Sequence, residues 1–588
     1  MKRQLATIAV AVLLLTLVTT SPVPASAPQG TVQETLQLPE SPAGHGLQSA
    51  EPLPAPSGGL QEFLPLVSGQ TLPPPSESLL TFLPLVLKAH RTCSVASPFS
   101  IQIAALHQIE GGMTSAEWRA WYEAAFPSLV AALQQTGACW TRVLIDWEVI
   151  QPTPPAPGQP PSYSWTYHDP KLALLASTGI QLVATVEMVP EWARALDTVP
   201  PLPNLRCSAI DPERLGDFAQ FLTDLVNRYK EPPYNIHVWE LRNEPDGTTP
   251  DRVYVGQGCA GFRGDLYAQM LSYASPAIKA ADPTATVLMG GVAYDWFEYS
   301  EPVDPDGPFY RYFPDEMMAA EADRYLDATN LHYFEDFYKE WERWDPNSED
   351  RRNGWLNAPT CGDVFDGLGD EYYAGGVDLI AKVHHFRNRL STCFGVNKPV
   401  WVTELAEPGA PDDPDSLAQQ ARYVIQGYSR GLSAGVKNLT WFALVTPPYD
   451  VGVQGLLYYS DTGELIAKPA FYAYKTLTSQ LTGWVYAYSL AVPDVEGYVF
   501  RNTQGQKKTV AWASGDPLQP THLTFPGTAQ LQVVDRQGNY TYIQDGGVGD
   551  ADGARNGSIT LELPGVPIDP DPLHPPRFTA EPFFVSGM

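Results

Sequence analysis

The sequence has no pair of cysteines spaced Cys-x-x-Cys, no nucleotide-binding loop, and no long uninterrupted apolar run beyond its N-terminal segment. A structural zinc site therefore lacks its usual ligand spacing. No metal or cofactor is expected. Every later apolar run is broken by charge or proline, which excludes a membrane-spanning helix. Basic residues are also scarce, with 37 Lys and Arg against 66 Asp and Glu and a formal charge of −29. Nucleic acid and anionic lipid would be repelled by such a chain, whereas a neutral ligand such as a sugar is unaffected. Nothing in the sequence reports on oligomeric state.

What is present is enough for a large core. The chain has 588 residues, 44% apolar and 11% aromatic, which allows more than one domain. Lys2 and Arg3 precede a largely apolar stretch from Leu5 to Val18 and then small residues, the pattern of an export signal. Pro28 would follow a cut after Ala27, so cleavage is expected after Ala25, giving a signal peptide over 1–25 and a secreted or surface-associated protein. No cysteine follows the apolar stretch to carry a lipid anchor. All six cysteines lie in the exported part, and an even count there predicts disulfides, with Cys207–Cys259 and Cys361–Cys393 the expected pairs. Residues 26–92 are rich in Pro, Ser, Gly and Gln and read as a flexible linker. A small repeat in it, 63–67 and 82–86, is either a docking segment or plain linker.

From residue 93 short apolar strands alternate with amphipathic helical stretches, the pattern of a parallel sheet with helices outside. Strands are expected at 100–106, 141–146, 181–186, 236–241, 286–290, 328–332, 399–403 and 438–444. Between them, Leu215, Phe218, Ala219, Leu222, Leu225 and Val226 recur at helical spacing, and 417–434 does the same. Eight such strands over 93–482 predict an α/β fold, a (β/α)8 TIM barrel. After residue 483 short strands with turn signals, among them 497–501, 508–512, 531–535 and 558–563, predict a β-sandwich. The acidic, glycine-rich 545–556 lacks the spacing of a calcium loop.

Two of the barrel strands end in glutamate: the fourth runs into Asn243-Glu244-Pro245-Asp246, and the seventh delivers Glu404 after Val400-Trp401-Val402-Thr403. Barrel enzymes carry their reacting groups at these C-terminal strand ends. Glu240 shares the strand parity of Glu244 and is expected one layer deeper, as a buried ion-pair partner. Glu148, Glu187 and Glu407, near other strand ends, read as loop anchors or surface groups.

These motifs resemble those of the clan A glycoside hydrolases, retaining (β/α)8 enzymes, and are most like family 39 or family 5. Asn243-Glu244-Pro245 matches their acid/base motif and Thr403-Glu404 their nucleophile motif. Arg142 and Trp147 on strand two, Trp192 after strand three, and His332 and Tyr333 on strand six fall in similar stretches. The resemblance implies a secreted retaining glycosidase acting on β-O-glycosidic bonds of a polysaccharide or oligosaccharide, with Glu244 as acid/base and Glu404 as nucleophile. Asn243 would bind the 2-hydroxyl of the reacting sugar. Arg142 and His332 would position Glu404 and the sugar, Trp441 would floor the subsite, and Trp192 would contribute to it. Many clan members bind the nucleophile through a tyrosine two residues after the strand-six histidine. Phe334 stands there in this chain, so Tyr333 or another residue must make that bond. The alternative is a catalytically silent carbohydrate-binding barrel, which would have no need of both carboxylates. The long segment after strand six, from Phe334 to about Tyr373, is dense in aromatic rings that suit sugar stacking or a small core of its own.

Overall fold

The computed structural model describes residues 93–94, 96–103, 115–195, 209–247, 263–293, 309, 313–334, 379–446, 453–460, 462–514, 519–565 and 580–587. The signal peptide, the linker with its repeat, Cys207, Cys259, Cys361 and the aromatic segment after Phe334 lie outside them.

Eight parallel strands form the main sheet: β1 (Phe99–Gln102), β2 (Trp140–Asp146), β3 (Gln181–Glu187), β4 (Val238–Leu241), β5 (Thr286–Met289), β6 (Thr329–Phe334), β7 (Val400–Ala406) and β8 (Leu439–Trp441). Their order, β5-β4-β3-β2-β1-β8-β7-β6, is closed by parallel bridges from Leu288 to Ala328 and from Val292 to Leu331. The main helices that follow these strands in turn are α1 (Ser115–Thr136), α2 (Asp169–Ser177), α3 (Leu215–Tyr229), α4 (Gly264–Ala281), α5 (Phe313–Ala319), α6 (Leu379–Phe394), α7 (Pro414–Ser433) and α8 (Pro469–Leu481). This is the expected (β/α)8 barrel. None of the described helices is long and apolar enough to cross a membrane.

Local chemistry sets the helix boundaries. In α3 the expected stripe buries Leu215, Phe218, Leu222, Leu225 and Val226, each side chain contributing about 1.5–3 kcal/mol by leaving water. At the start of α7 the Asp413 carboxylate accepts from the Asp415 and Ser416 amides at 2.9 and 3.1 Å, and Pro414 occupies the first turn, where no amide donor is needed.

The barrel interior is layered. At the N-terminal end Trp140, Val183, Val238, Leu288 and Ala328 form an apolar plug with Trp401 against it. Above the plug the same strand faces carry Arg142, Thr185, Glu240 and Asn330, all buried and polar. An interior layer of this kind persists only if its groups satisfy one another.

Beyond the barrel, β9 (Val445–Thr446), β10 (Leu457–Tyr459) and β11 (Leu465–Ala467) make a small sheet. Eight further strands follow: β12 (Val485–Ser489), β13 (Val495–Arg501), β14 (Lys507–Ala513), β15 (Thr521–Pro526), β16 (Gln530–Val534), β17 (Tyr540–Gln544), β18 (Ser558–Leu563) and β19 (Phe583–Gly587). They form a six-stranded antiparallel sheet, β12-β13-β14-β19-β16-β17, and a two-stranded sheet, β15-β18. This β-rich part is fastened to α7, where Arg430 makes a bidentate pair with Glu496 at 2.8 Å through each nitrogen and lies 5.4 Å over the Trp512 ring.

Candidate active site

Arg142 organises the barrel centre. Its Nε and Nη2 donate to Glu240 at 2.6 and 3.1 Å, Nη2 also to Asn243 Oδ1 at 2.6 Å, and Nη1 to Gln102 Oε1 at 2.7 Å and Glu404 Oε1 at 2.5 Å. These five contacts match the five N–H donors of a guanidinium. Burial opposes the charge, yet Glu240 and Glu404 hold the Arg142 pKa above its ordinary value. Asn243 Oδ1 accepts from Arg142, which fixes the side-chain amide and leaves its Nδ2 protons to meet a hydroxyl. Glu240, expected as a buried partner, is just that: Thr185, Thr403 and the Asn330 amide also donate to it, at 2.5, 2.9 and 2.9 Å.

Above this layer His332 sits between the two glutamates of interest. Its Nδ1 is 3.0 Å from Glu244 Oε1 and 3.6 Å from Glu404 Oε2, and its Nε2 is 3.0 Å from Thr403 Oγ1. Burial, with Arg142 and Lys382 adding to it, holds its pKa well below the ordinary histidine range, so the ring is neutral. The ring packs against Gly291, where a Cβ would stand 2.1 Å from Nε2 and 2.2 Å from Cδ2. Gly291→Ala must displace the imidazole, and a shift of about 1 Å at such a site costs on the order of 100-fold in kcat/KM, measurable by steady-state kinetics.

Glu244 and Glu404 are both buried, at 7% and 5% relative exposure. One oxygen of each and a His332 nitrogen lie within 4.8 Å of one another. These three could touch a cation, but the guanidinium on Glu404 already supplies the positive charge, which argues against a dication beside it. Burial pushes the Glu404 pKa up to about 7 against the pull of Arg142, with Glu240 and Glu187 adding to the rise. Arg242 and Glu244 both adopt left-handed backbone, φ 73° and 42°, where a non-glycine residue is strained. Asp246 helps hold that turn by accepting from the Ala293 amide at 3.0 Å.

The remaining expected residues fall elsewhere. Trp441 is fully buried and faces the helix layer: its ring is 6.5 Å from Tyr423 of α7, and Leu439, of the same parity, packs on Gly431. It does not floor this site. Its neighbour Phe442 is only partly buried and meets Phe334 of β6 edge-on at 5.7 Å. Tyr333 is also buried in the core, on the parity opposite to His332, and Arg142 rather than Tyr333 makes the short bond to Glu404. Trp192 braces the rim, edge-on to Trp147 at 5.6 Å with its indole donating to the Gln151 carbonyl at 3.1 Å. Glu148 pairs with Arg194 at 3.0 Å and Glu407 accepts from Gln419 at 2.5 Å, both as loop anchors. Glu187 differs from them. It shares the parity of Thr185, is buried, and acts on Arg142, Glu404 and Arg242, so it belongs to the site's charge network. Gln102, Thr185 and Thr403 were also missed, although strand parity points to the first two.

Fold and site together define the class, a (β/α)8 barrel with a buried glutamate pair at the C-terminal ends of its fourth and seventh strands. No protein-family model matches the sequence, and no curated protein matches it. Solved structures do match in fold. A family 39 glycoside hydrolase from the gut symbiont Bacteroides cellulosilyticus WH2 is similar with a TM-score of 0.53 and 16% identity, over 83% of this chain and 80% of its own. The catalytic domain of a family 30 xylanase C from Talaromyces cellulolyticus gives a TM-score of 0.49 at 14% identity, over 79% of this chain and 94% of its own. A family 39 β-xylosidase from Caulobacter crescentus gives 0.47 at 15% identity, over 85% and 98%.

Proposed function

We propose that the protein is a secreted glycosidase that cleaves β-O-glycosidic bonds of an oligosaccharide or polysaccharide by double displacement. The observation that carries this reading is the approach of a Glu244 and a Glu404 oxygen to within 4.8 Å on the catalytic face of the barrel. Retaining glycosidases hold their carboxyls about 5–5.5 Å apart, whereas inverting ones need roughly 6.5–9.5 Å to admit a water between. The shared fold with a family 39 glycoside hydrolase agrees with it.

In the first step Glu404 attacks the anomeric carbon while Glu244 gives its proton to the departing oxygen. In the second, Glu244 takes a proton from water, which displaces Glu404 with the configuration restored. Asn243, its carbonyl held by Arg142, donates to the 2-hydroxyl. The boundaries 1–25, 26–92, 93–482 and 483–588 and the two cysteine pairings belong to the same proposal, and peptide mapping of the secreted protein without reductant tests them.

Two measurements test the reaction. A panel of nitrophenyl β-glycosides, with polysaccharides to follow, is expected to yield one preferred sugar, and proton NMR of the first product is expected to show the β-anomer. An α-anomer would overturn double displacement. Glu404 must be ionised to attack, so kcat/KM should rise with pH through about 7, the value to which burial has lifted it. An acid limb near the ordinary carboxylate value would mean that Arg142 outweighs burial.

A further inference from the structure

Resting on that reading, we infer that Thr403 and Glu240 fix His332 as the Nε2–H tautomer, so that its bare Nδ1 holds Glu244 in the protonated form needed for the first step. Thr403 and Glu240 are thereby positioning residues that act through the imidazole.

The inference follows from counting protons. Thr403 Oγ1 has one proton and three polar neighbours: Glu240 Oε1 at 2.9 Å, Asn330 Nδ2 at 2.7 Å and His332 Nε2 at 3.0 Å. Asn330 Nδ2 is only a donor. Glu240 is a carboxylate, because Arg142 approaches it through two nitrogens. Two oxygens 2.9 Å apart in a dry interior require a proton between them, and Thr403 must supply it, as a charge-assisted bond. The hydroxyl then has nothing left to donate, so the contact with Nε2 is made by an Nε2–H. A second ring proton is opposed by burial first, and then by the charges of Arg142 and Lys382, although Glu404 lies 3.6 Å from Nδ1, so the buried ring stays neutral. Nδ1 is therefore a lone pair, and its 3.0 Å contact with Glu244 Oε1 needs the proton of the carboxylic acid.

This arrangement suits both half-reactions. The charges acting on the centre are Arg142 and Lys382 on one side and Glu240, Glu187 and Glu404 on the other. Once Glu244 has protonated the leaving group, its carboxylate faces a lone pair, a repulsion relieved when it takes a proton from the incoming water. Thr403 can play this part because it is the extra residue of a β-bulge: Leu331 pairs with Val402 and His332 with Glu404, so two successive side chains of β7 reach the interior polar network.

Neutron diffraction from crystals exchanged into deuterium oxide at neutral pH reads the protons directly. Deuterium on Nε2 and on Glu244 is expected, and deuterium on Nδ1 with a bare Nε2 overturns the inference. The map is independent of turnover, so it separates failure of this tautomer from failure of the glycosidase reading. In the enzyme, Thr403→Val keeps the volume and removes the hydroxyl. Its basic limb should move to lower pH by roughly one unit, with kcat/KM for a poor leaving group falling about tenfold and that for a dinitrophenyl leaving group changing less than about twofold. Thr403→Ser should retain the wild-type profile. Equal losses on both leaving groups with an unmoved limb would make Thr403 merely structural.

Discussion

Glu404→Ala is expected to lower kcat/KM on the preferred aryl glycoside by roughly 10⁴-fold or more, the scale on which loss of the proposed nucleophile would be felt. The argument is geometric. Glu404 Oε1 is held by Arg142 at 2.5 Å, while Oε2 faces His332 at 3.6 Å and is the more weakly held oxygen, the one available to form a bond. In the proposed double displacement, removing the carboxylate removes both the bond-forming atom and the charge that stabilises the oxocarbenium-like transition state. Azide, small enough to enter the space left, should restore turnover of an activated substrate and give the glycosyl azide of inverted configuration. Glu244→Ala should instead spare activated leaving groups and, with azide, give the retained configuration. A Glu404→Ala variant within tenfold of wild type would remove this residue from the chemistry and take the proposed function with it. The alanine also relieves a buried carboxyl of its desolvation, so the fold is expected to tolerate it.

How much of this was legible before the structure depended on strand period. The eight barrel strands were found because each is a short apolar run bounded by turn residues, and Glu240 was placed inside by parity with Glu244. Parity fails where the ladder is irregular. The bulge at Thr403 turns it inward although alternation with Glu404 forbids that, and the pairing of Val402 with Leu439 and Leu405 with Trp441 shifts the register again beside β8. A slip of one residue moves a side chain to the other face. That is why Trp441, the obvious aromatic residue, lies against the helices, and the less conspicuous Phe442 is the ring left partly open beside Phe334. The pairing of Glu240 with Arg142 spans 98 positions, and the fivefold engagement of the guanidinium emerges only once the barrel is closed.

Arg142→Met should destabilise the protein by about 3–5 kcal/mol on the alkaline side of neutrality, where Glu404 is ionised, the usual cost of removing one partner from a buried ionic cluster. Methionine fills much of the space but leaves Glu240 and Glu404, both buried, without the cation between them. Glu240 keeps Thr185, Thr403 and Asn330 as donors, whereas Glu404 loses its closest one, so the penalty concentrates on Glu404. The sign with pH follows. A carboxyl whose pKa is raised in the fold lends stability below its ordinary value, near 4.5, and that stability is lost as pH rises through the folded value. Without Arg142 the Glu404 pKa rises further, because the arginine is what opposes burial. The gap between variant and wild type in urea unfolding should therefore widen as pH increases past 7 and shrink toward pH 5. The double variant Arg142→Met, Glu404→Gln should recover part of the loss, since the neutral amide asks for no counter-charge. A gap that is flat from pH 5 to 8 would show that Arg142 acts by packing alone. Electrostatic organisation of the barrel centre, and with it the assignment of Glu404 as the ionised member of the pair, would then have to be abandoned.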